Sequence, residues 1–300
     1  KRPVTSQLML HITLVAVLAC MMASTTEENG VLTDEEWVER QKNQGAKSTL
    51  DLPNDDDDDN APWQILYWPA MDATGKISAG AGRGEYLRVM FEEAGVPYEN
   101  VSNDIVDFFW TKATDEGVQP YPVLSPPAIR KGTFLLCQTA VCAKHLGMLF
   151  GMYPEKLVDQ SHADQIVTTV HEYIAEGRMA FHPVKNSMSY HDQVEESKPY
   201  IEAFKKERLP RYMSIMERFL KTNNKDKDSV FFVGDSITYV DLQVMVMLQV
   251  TKSQWPDVWE NPSLEMPLLK AFLERMESRP RIKAYLESER KFPFAGDSLM

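Results

Sequence analysis

The residues whose spacing most directly suggests chemistry are Tyr121-Pro122-Val123-Leu124, with Gln138-Thr139 beginning fourteen residues after Leu124 at the head of a helical pattern. Proline alone makes the cis peptide inexpensive, so an X-Pro bond entering a short apolar strand can hold a backbone edge open for a ligand. A helix starting near Gln138-Thr139 presents unpaired N–H groups and a positive dipole end, which suits a carboxylate. Together these features describe a pocket for a small, acidic, peptide-like molecule.

Other chemistries fit poorly. Cys20, Cys137 and Cys142 form neither an even disulfide framework nor a metal-ligand spacing. The histidines show no HExxH pattern, and His171-Glu172 reads as a solvated or partly buried helix face, so no metal is expected. Cys137 and Cys142 read as packed small hydrophobes, and Met245 and Met247 as core. Thr74-Gly75-Lys76 lacks the glycine five residues upstream that a phosphate loop requires, and Gly80-Ala81-Gly82-Arg83-Gly84 lacks dinucleotide-loop spacing.

Composition narrows the class further. Three hundred residues, 43% hydrophobic and 25% charged, are enough for one large or two modest domains. A net charge of −12 argues against nucleic acid, whose binding draws on Lys and Arg neutralising phosphates. Residues 1–23 form a candidate targeting segment, with Lys1 and Arg2 ahead of an apolar run from Leu8 to Ala23 that is too short to span a bilayer comfortably. That reading implies a secretory or organellar destination; a start at Met22 implies a cytoplasmic one. Residues 24–62 read as a disordered polar tether containing one short helix around Thr33–Trp37 and ending near Asp55–Asp59. Like charges in that run repel one another, and it lacks the ligand alternation of a calcium loop.

The elements that must position the pocket begin at Trp63. Gln64–Trp68 is rich in strand formers, and Leu87, Met90, Phe91 and Ala94 recur at helical spacing until Gly95 and Pro97. A second strand is expected within Val96–Ser102, irregular chain over Asp107–Gln119, a strand at Tyr121–Leu124, another at Thr133–Leu136, and a helix from Gln138 to Leu146 closed by Gly147. This order fits a small α/β domain over 63–153 with a mixed sheet. Residues 154–300 carry almost no strand signal; helices are expected at Ser161–Glu176, Lys198–Lys221, Thr238–Thr251 and Leu264–Leu286, the last broken at Pro280. Thr238 is an N-cap candidate with Asp241 at N3, and Ile237 and Leu242 form a hydrophobic staple, so Asp241 is assigned a structural role.

These pieces, in this order, resemble the cytosolic glutathione transferases of the tyrosine type (sigma-, mu- or alpha-like). The resemblance runs through Ile65-Leu66-Tyr67-Trp68, Gly82-Arg83-Gly84-Glu85, Ala94-Gly95-Val96-Pro97-Tyr98-Glu99, Tyr121-Pro122-Val123-Leu124 with Gln138-Thr139, Ser236–Asp241 and Ser278–Leu286. It implies a thioredoxin-like N-terminal domain followed by an all-α C-terminal domain.

The resemblance also implies a chemistry. A free thiol with a pKa near 8.5 is mostly protonated at neutral pH, so a transferase must favour the glutathione thiolate for attack on a hydrophobic electrophile, for peroxide reduction or for isomerisation. By the resemblance, Tyr67 supplies the hydroxyl that stabilises sulfur. Arg83, Trp110, Lys112, Pro122, Val123, Gln138 and Thr139 would contact glutathione: Val123 through its backbone beside a cis Pro122, Gln138 and Thr139 at the γ-glutamyl group, Trp110 and Lys112 at the glycyl carboxylate. Glutathione is then a co-substrate and no cofactor is implied; a homodimer is. The acidic residue that a neighbouring subunit often provides is replaced by Thr168, with Asp164 one turn earlier. Against the family pattern, Pro69–Gly82 is an insertion, read as a surface loop that either leaves the site intact or covers it and displaces Tyr67. The second outcome would leave a non-catalytic binding or structural protein.

Overall fold

In the computed structural model of the chain, residues 61–71, 77–79, 81–225 and 230–294 are described. The targeting, start-site and tether expectations for positions up to 60, and Thr74-Gly75-Lys76, lie outside them. Two layers of structure meet along one seam. The N-terminal part has a four-stranded sheet in the order β4-β1-β5-β6, built from β1 (Trp63–Leu66), β4 (Tyr98–Val101), β5 (Ala128–Lys131) and β6 (Phe134–Cys137). β1 runs parallel to β4 and antiparallel to β5, placing Leu66 opposite both Val101 and Ala128. Helices α1 (Glu85–Ala94) and α2 (Thr139–Leu149) cover one face. Two strands of the Pro69–Gly82 insertion, β2 (Pro69–Met71) and β3 (Ile77–Ala79), pair as an antiparallel hairpin rather than a featureless loop.

The second part is helical throughout: α3 (Leu157–Phe181), α4 (Val194–Ala203), α5 (Leu209–Asn223), α6 (Tyr239–Gln254), α7 (Pro256–Trp259), α8 (Pro267–Glu277) and α9 (Pro280–Leu286). α6 is its central post: every residue from Tyr239 to Thr251 is buried, Met245 and Met247 completely. No helix among the described residues is long and apolar enough to cross a membrane.

Several elements differ from expectation for identifiable reasons. Tyr121–Leu124 is irregular rather than a strand; the neighbouring strand is β5, whose Arg130 disguises a core position. Arg130 is fully buried because its Nε donates to Gln64 Oε1 at 2.8 Å, and Gln64 donates on to Glu99 at 3.0 Å, a polar chain that satisfies the charge within the sheet. Gly147 does not close α2, which continues to Leu149. A Cβ there would come within 2.9 Å of Tyr239 Cβ, so the glycine permits close packing of α2 against α6. The single helix expected over Lys198–Lys221 is two, joined by a π-helical turn at Phe204–Arg208; Pro210, the second residue after that turn, cannot donate to it. α3 extends past both expected ends because its first turn exposes Leu157 and Val158, which masks the helical period.

Candidate functional site

Tyr67 follows directly on β1 and is anchored by its own N–H, which donates to Val101 O at 3.0 Å. The chain leaves through the β2–β3 hairpin and returns as Ala81-Gly82-Arg83-Gly84, the turn that opens α1. Gly82, at φ +43°, lies against the phenol: a Cβ there would sit 2.3 Å from the Tyr67 hydroxyl oxygen. Only glycine allows that approach. The Arg83 backbone N–H donates to the Tyr67 hydroxyl oxygen at 2.7 Å. The insertion therefore leaves the phenol at the mouth of the helix.

That mouth is held rigidly. Arg88 Nη1 donates to Ala81 O at 2.7 Å and Arg88 Nε to Asn100 Oδ1 at 2.7 Å, joining the turn, α1 and β4. Glu85, fully buried, accepts from Tyr285 Oη at 3.0 Å and pairs with Lys291 Nζ at 3.0 Å and Arg88 Nη1 at 3.2 Å. A buried carboxylate with cations on both sides and a phenol donor is compensated, so this cluster binds the C-terminal part of the helical domain to the start of α1.

Burial raises the Tyr67 pKa above its ordinary value, although the Arg83 N–H and the charges of Arg83, Arg88 and Arg178 pull it down. At neutral pH the side chain is therefore an uncharged phenol. Its oxygen accepts from Arg83, and among the described residues nothing accepts its proton. A phenol in that state is a hydrogen-bond donor awaiting an acceptor.

The other expected ligand residues divide. Gln138 adopts φ +73° as the N-cap of α2 and is exposed, with Thr139 buried behind it at the first helical position. Trp110 reaches the tip of β1 by stacking on Trp68, with ring centroids 5.3 Å apart and planes at 15°. Lys112, two residues on, is paired with Asp107 at 2.7 Å, and this contact raises its pKa. The expectation for Pro122 and Val123 is corrected: the cis peptide is Pro126-Pro127, and the Val123 N–H is committed to Gln119 Oε1 at 3.1 Å. The Val123 side chain is buried in the cluster that also holds Leu66 and Phe108. Pro127 stands eleven residues before Gln138 and immediately before β5.

Asp164 is occupied within its own chain, accepting from Lys144 Nζ at 2.6 Å and Tyr239 Oη at 2.6 Å. Thr168 is exposed and donates back to Asp164 O at 2.7 Å. Asp241 accepts from the N–H groups of Phe232 and Thr238, each at 2.8 Å, and from the Thr238 hydroxyl at 3.0 Å. Cys142 is buried and its thiol donates to Leu136 O at 3.3 Å; burial pushes its pKa up and makes it a poor nucleophile. No cluster of metal-ligating side chains occurs among the described residues.

Sequence reasoning passed over a group on the seam between the two parts. Tyr86 and His171 have ring centroids 5.4 Å apart, Gln243 Nε2 donates to Tyr86 O at 2.8 Å, and Arg178 stands two turns beyond His171 on α3. The seven-residue spacing of Asp164, His171 and Arg178 was the available signal, since it sets them along one helix face.

Residues 180–289 match the family described as glutathione S-transferase, C-terminal domain. A glutathione S-transferase of Plasmodium yoelii yoelii is 25% identical over 211 residues, covering 70% of this chain and 90% of that protein. Glutathione S-transferase P of Bos taurus is 25% identical over 228 residues, covering 76% and 92%. In fold, the chain superimposes on the Pi-class glutathione S-transferase of Onchocerca volvulus with TM-score 0.58 at 20% identity, covering 79% of this chain and 99% of the other. Prostaglandin synthase D of Nilaparvata lugens gives TM-score 0.57 at 18% identity, covering 77% and 100%. With a thioredoxin-like first domain, a helical second domain whose residues 180–289 match that family, and likeness to curated glutathione S-transferases over 70% and 76% of its length, the chain is similar to the cytosolic-type glutathione transferases.

Proposed function

We propose that this protein is a glutathione transferase in which the Tyr67 hydroxyl donates a hydrogen bond to the glutathione sulfur and holds it as the thiolate. The observation that carries this reading is the Arg83 N–H to Tyr67 Oη bond at 2.7 Å. It occupies the phenol's acceptor side and turns its proton outward, at a helix start whose dipole also favours negative charge. The thiolate then attacks the electrophile, and Tyr67 stays protonated throughout.

The remaining glutathione contacts follow from the corrected geometry. The γ-glutamyl carboxylate meets the start of α2 at Gln138-Thr139. The glycyl carboxylate lies by Trp110 and Lys112, where it competes with Asp107 for the ammonium. The main-chain partner of the cysteinyl unit moves from Val123 to the Pro126-Pro127 turn; Pro126 supplies a carbonyl but no N–H, so one of the two backbone bonds of a β-like pairing is missing. Arg83 provides positive charge beside the sulfur. The working unit is a homodimer whose γ-glutamyl site draws no carboxylate from Asp164.

Conjugation of glutathione to a chlorodinitroaryl electrophile tests the proposal. Native protein should turn it over and Tyr67→Phe should lose most of that rate while still binding glutathione resin. Equal rates in the two would remove Tyr67 from the mechanism, and no turnover by a native protein that binds the resin would make it a binding protein.

A further inference from the structure

Resting on the transferase reading, we propose that the C-terminal segment Arg290–Phe294 is a strap that sets the Tyr67 turn, with Lys291 and Phe292 as positioning residues for the sulfur-activating phenol. The pattern begins on α1, where Glu85, Arg88 and Glu92 stand at i, i+3 and i+7 on one helix face and all three are buried. Buried charges persist only where partners meet them. Three consecutive residues beyond α9 supply partners: Arg290 Nη2 lies 3.4 Å from Glu92 Oε2, Lys291 Nζ 3.0 Å from Glu85 Oε1, and the Arg88 guanidinium carbon 4.6 Å from the centroid of the Phe292 ring. Lys291 Nζ also donates to Phe292 O at 3.0 Å and stands 4.1 Å from the Phe294 ring centroid, so its side chain is only 14% exposed. A lysine near a chain end is ordinarily solvated and mobile; this one is immobilised against a carboxylate, a carbonyl and a ring.

The strap continues onto the turn itself. Pro293 O accepts from the Ala81 N–H at 3.4 Å, while Ala81 O accepts from Arg88 Nη1 at 2.7 Å, so Ala81 is held on one side by the strap and on the other by the side chain that Phe292 covers. Gly82 and Arg83 come next, and these are the residues that touch the phenol. At Gly84 a Cβ would lie 3.0 Å from both Arg88 Nη2 and Tyr67 Cγ, so the guanidinium and the ring flank the same stretch of backbone.

Loosening the strap frees Arg88 and the Ala81 peptide, and the Arg83 N–H that directs the Tyr67 proton moves with them. Glu85 keeps Arg88 and Tyr285 as partners when Lys291 is replaced, so the helix start stays compensated while the turn is released.

Lys291→Met, Lys291→Arg and Phe292→Leu, each verified as folded by its melting curve, test the strap through two measurements on the full chain. In ligand-free protein, hydrogen exchange over residues 81–88 should quicken about tenfold or more in Lys291→Met and Phe292→Leu while α6 exchanges as in the native protein; Lys291→Arg, which keeps the charge, should stay near native. With glutathione bound, the apparent thiol pKa should rise by about half a unit or more in the same two variants, with kcat at neutral pH down about three- to tenfold and KM for glutathione within about twofold. Phe292→Leu changes no charge, so its shift reports geometry and not the lost field of a lysine. Native exchange over 81–88 in both variants would overturn the strap, whether or not the protein turns over the chlorodinitroaryl substrate. Faster exchange with an unmoved thiol pKa would leave a stabilising contact and overturn the positioning role. The thiol pKa of Tyr67→Phe reports on the transferase reading by itself, so failure of either idea is visible alone.

Discussion

The Tyr67 hydroxyl and the Arg83 backbone N–H, sixteen residues apart in the chain, meet at 2.7 Å with the N–H as donor. This bond leaves the phenol one productive direction for its proton. Its consequence is measurable in Tyr67→Phe as a change in the bound thiol. A hydrogen bond to a charged acceptor contributes about 1.5–3 kcal/mol, so its loss should raise the apparent pKa of enzyme-bound glutathione by roughly one to two units. Ultraviolet titration of the thiolate reads that shift directly, and kcat/KM at neutral pH should fall about 10- to 100-fold with it. An unshifted titration curve would mean that another group holds the sulfur.

Gly82→Ala tests the same contact from the opposite side. The added methyl would lie 2.2 Å from Tyr67 Cε1 and 2.3 Å from its oxygen, at a backbone φ of +43° that L side chains rarely adopt. Either the ring or the turn must move, at a cost of about 1–3 kcal/mol. Activity should fall in proportion to the displaced hydroxyl, and the bound thiol pKa should rise toward the Tyr67→Phe value. A variant with native activity and native Tm would show that the turn yields without disturbing the phenol.

The Thr238–Asp241 cap was legible in the sequence because it depends on a local signal, a Thr-x-x-Asp pattern between staple residues, whereas the role expected of Tyr67 came from the family resemblance and not from its strand. The proline edge was not legible. Tyr121-Pro122-Val123-Leu124 has strand composition, whereas the strand that forms, Ala128–Lys131, ends in two cations. Its burial depends on Gln64 and Glu99, both more than thirty positions away from Arg130 in the chain. The seam escaped for the same kind of reason, because Tyr86 and His171 come together only when α1 and α3 pack.

His171 gives the protein a predictable acid sensitivity. Burial, with a smaller contribution from the Arg83 charge, lowers its pKa from 6.5 to about 4, while the Gln243 amide opposes the shift; Tyr86 faces it from α1. The unfolded chain binds this proton at higher pH than the folded one does. The stability from keeping the ring neutral is therefore complete above about pH 6.5 and is lost as pH falls through the interval down to about 4. At about 1.4 kcal/mol per pH unit the loss is roughly 3 kcal/mol. Denaturant unfolding across that interval should show the slope in native protein, and His171→Gln should flatten it; an identical slope in the variant would place the titration elsewhere.

The last prediction separates structure from chemistry at Asp241. Its carboxylate is fully buried and accepts the N–H groups of Phe232 and Thr238 at 2.8 Å each, joining the loop before α6 to that helix's first turn. Alanine would leave two buried N–H donors without partners at the start of the central post of the helical domain, which costs about 2–4 kcal/mol. For a domain of this size that corresponds to a fall in Tm of roughly 5–15 °C. Asparagine keeps one acceptor oxygen and should lose less. Because the residue touches neither the Tyr67 turn nor the seam group, kcat/KM of either variant, measured well below its Tm, should stay within about threefold of native, less than 0.7 kcal/mol. A large catalytic loss in a well-folded Asp241→Asn would show that α6 communicates with the sulfur site through more than stability.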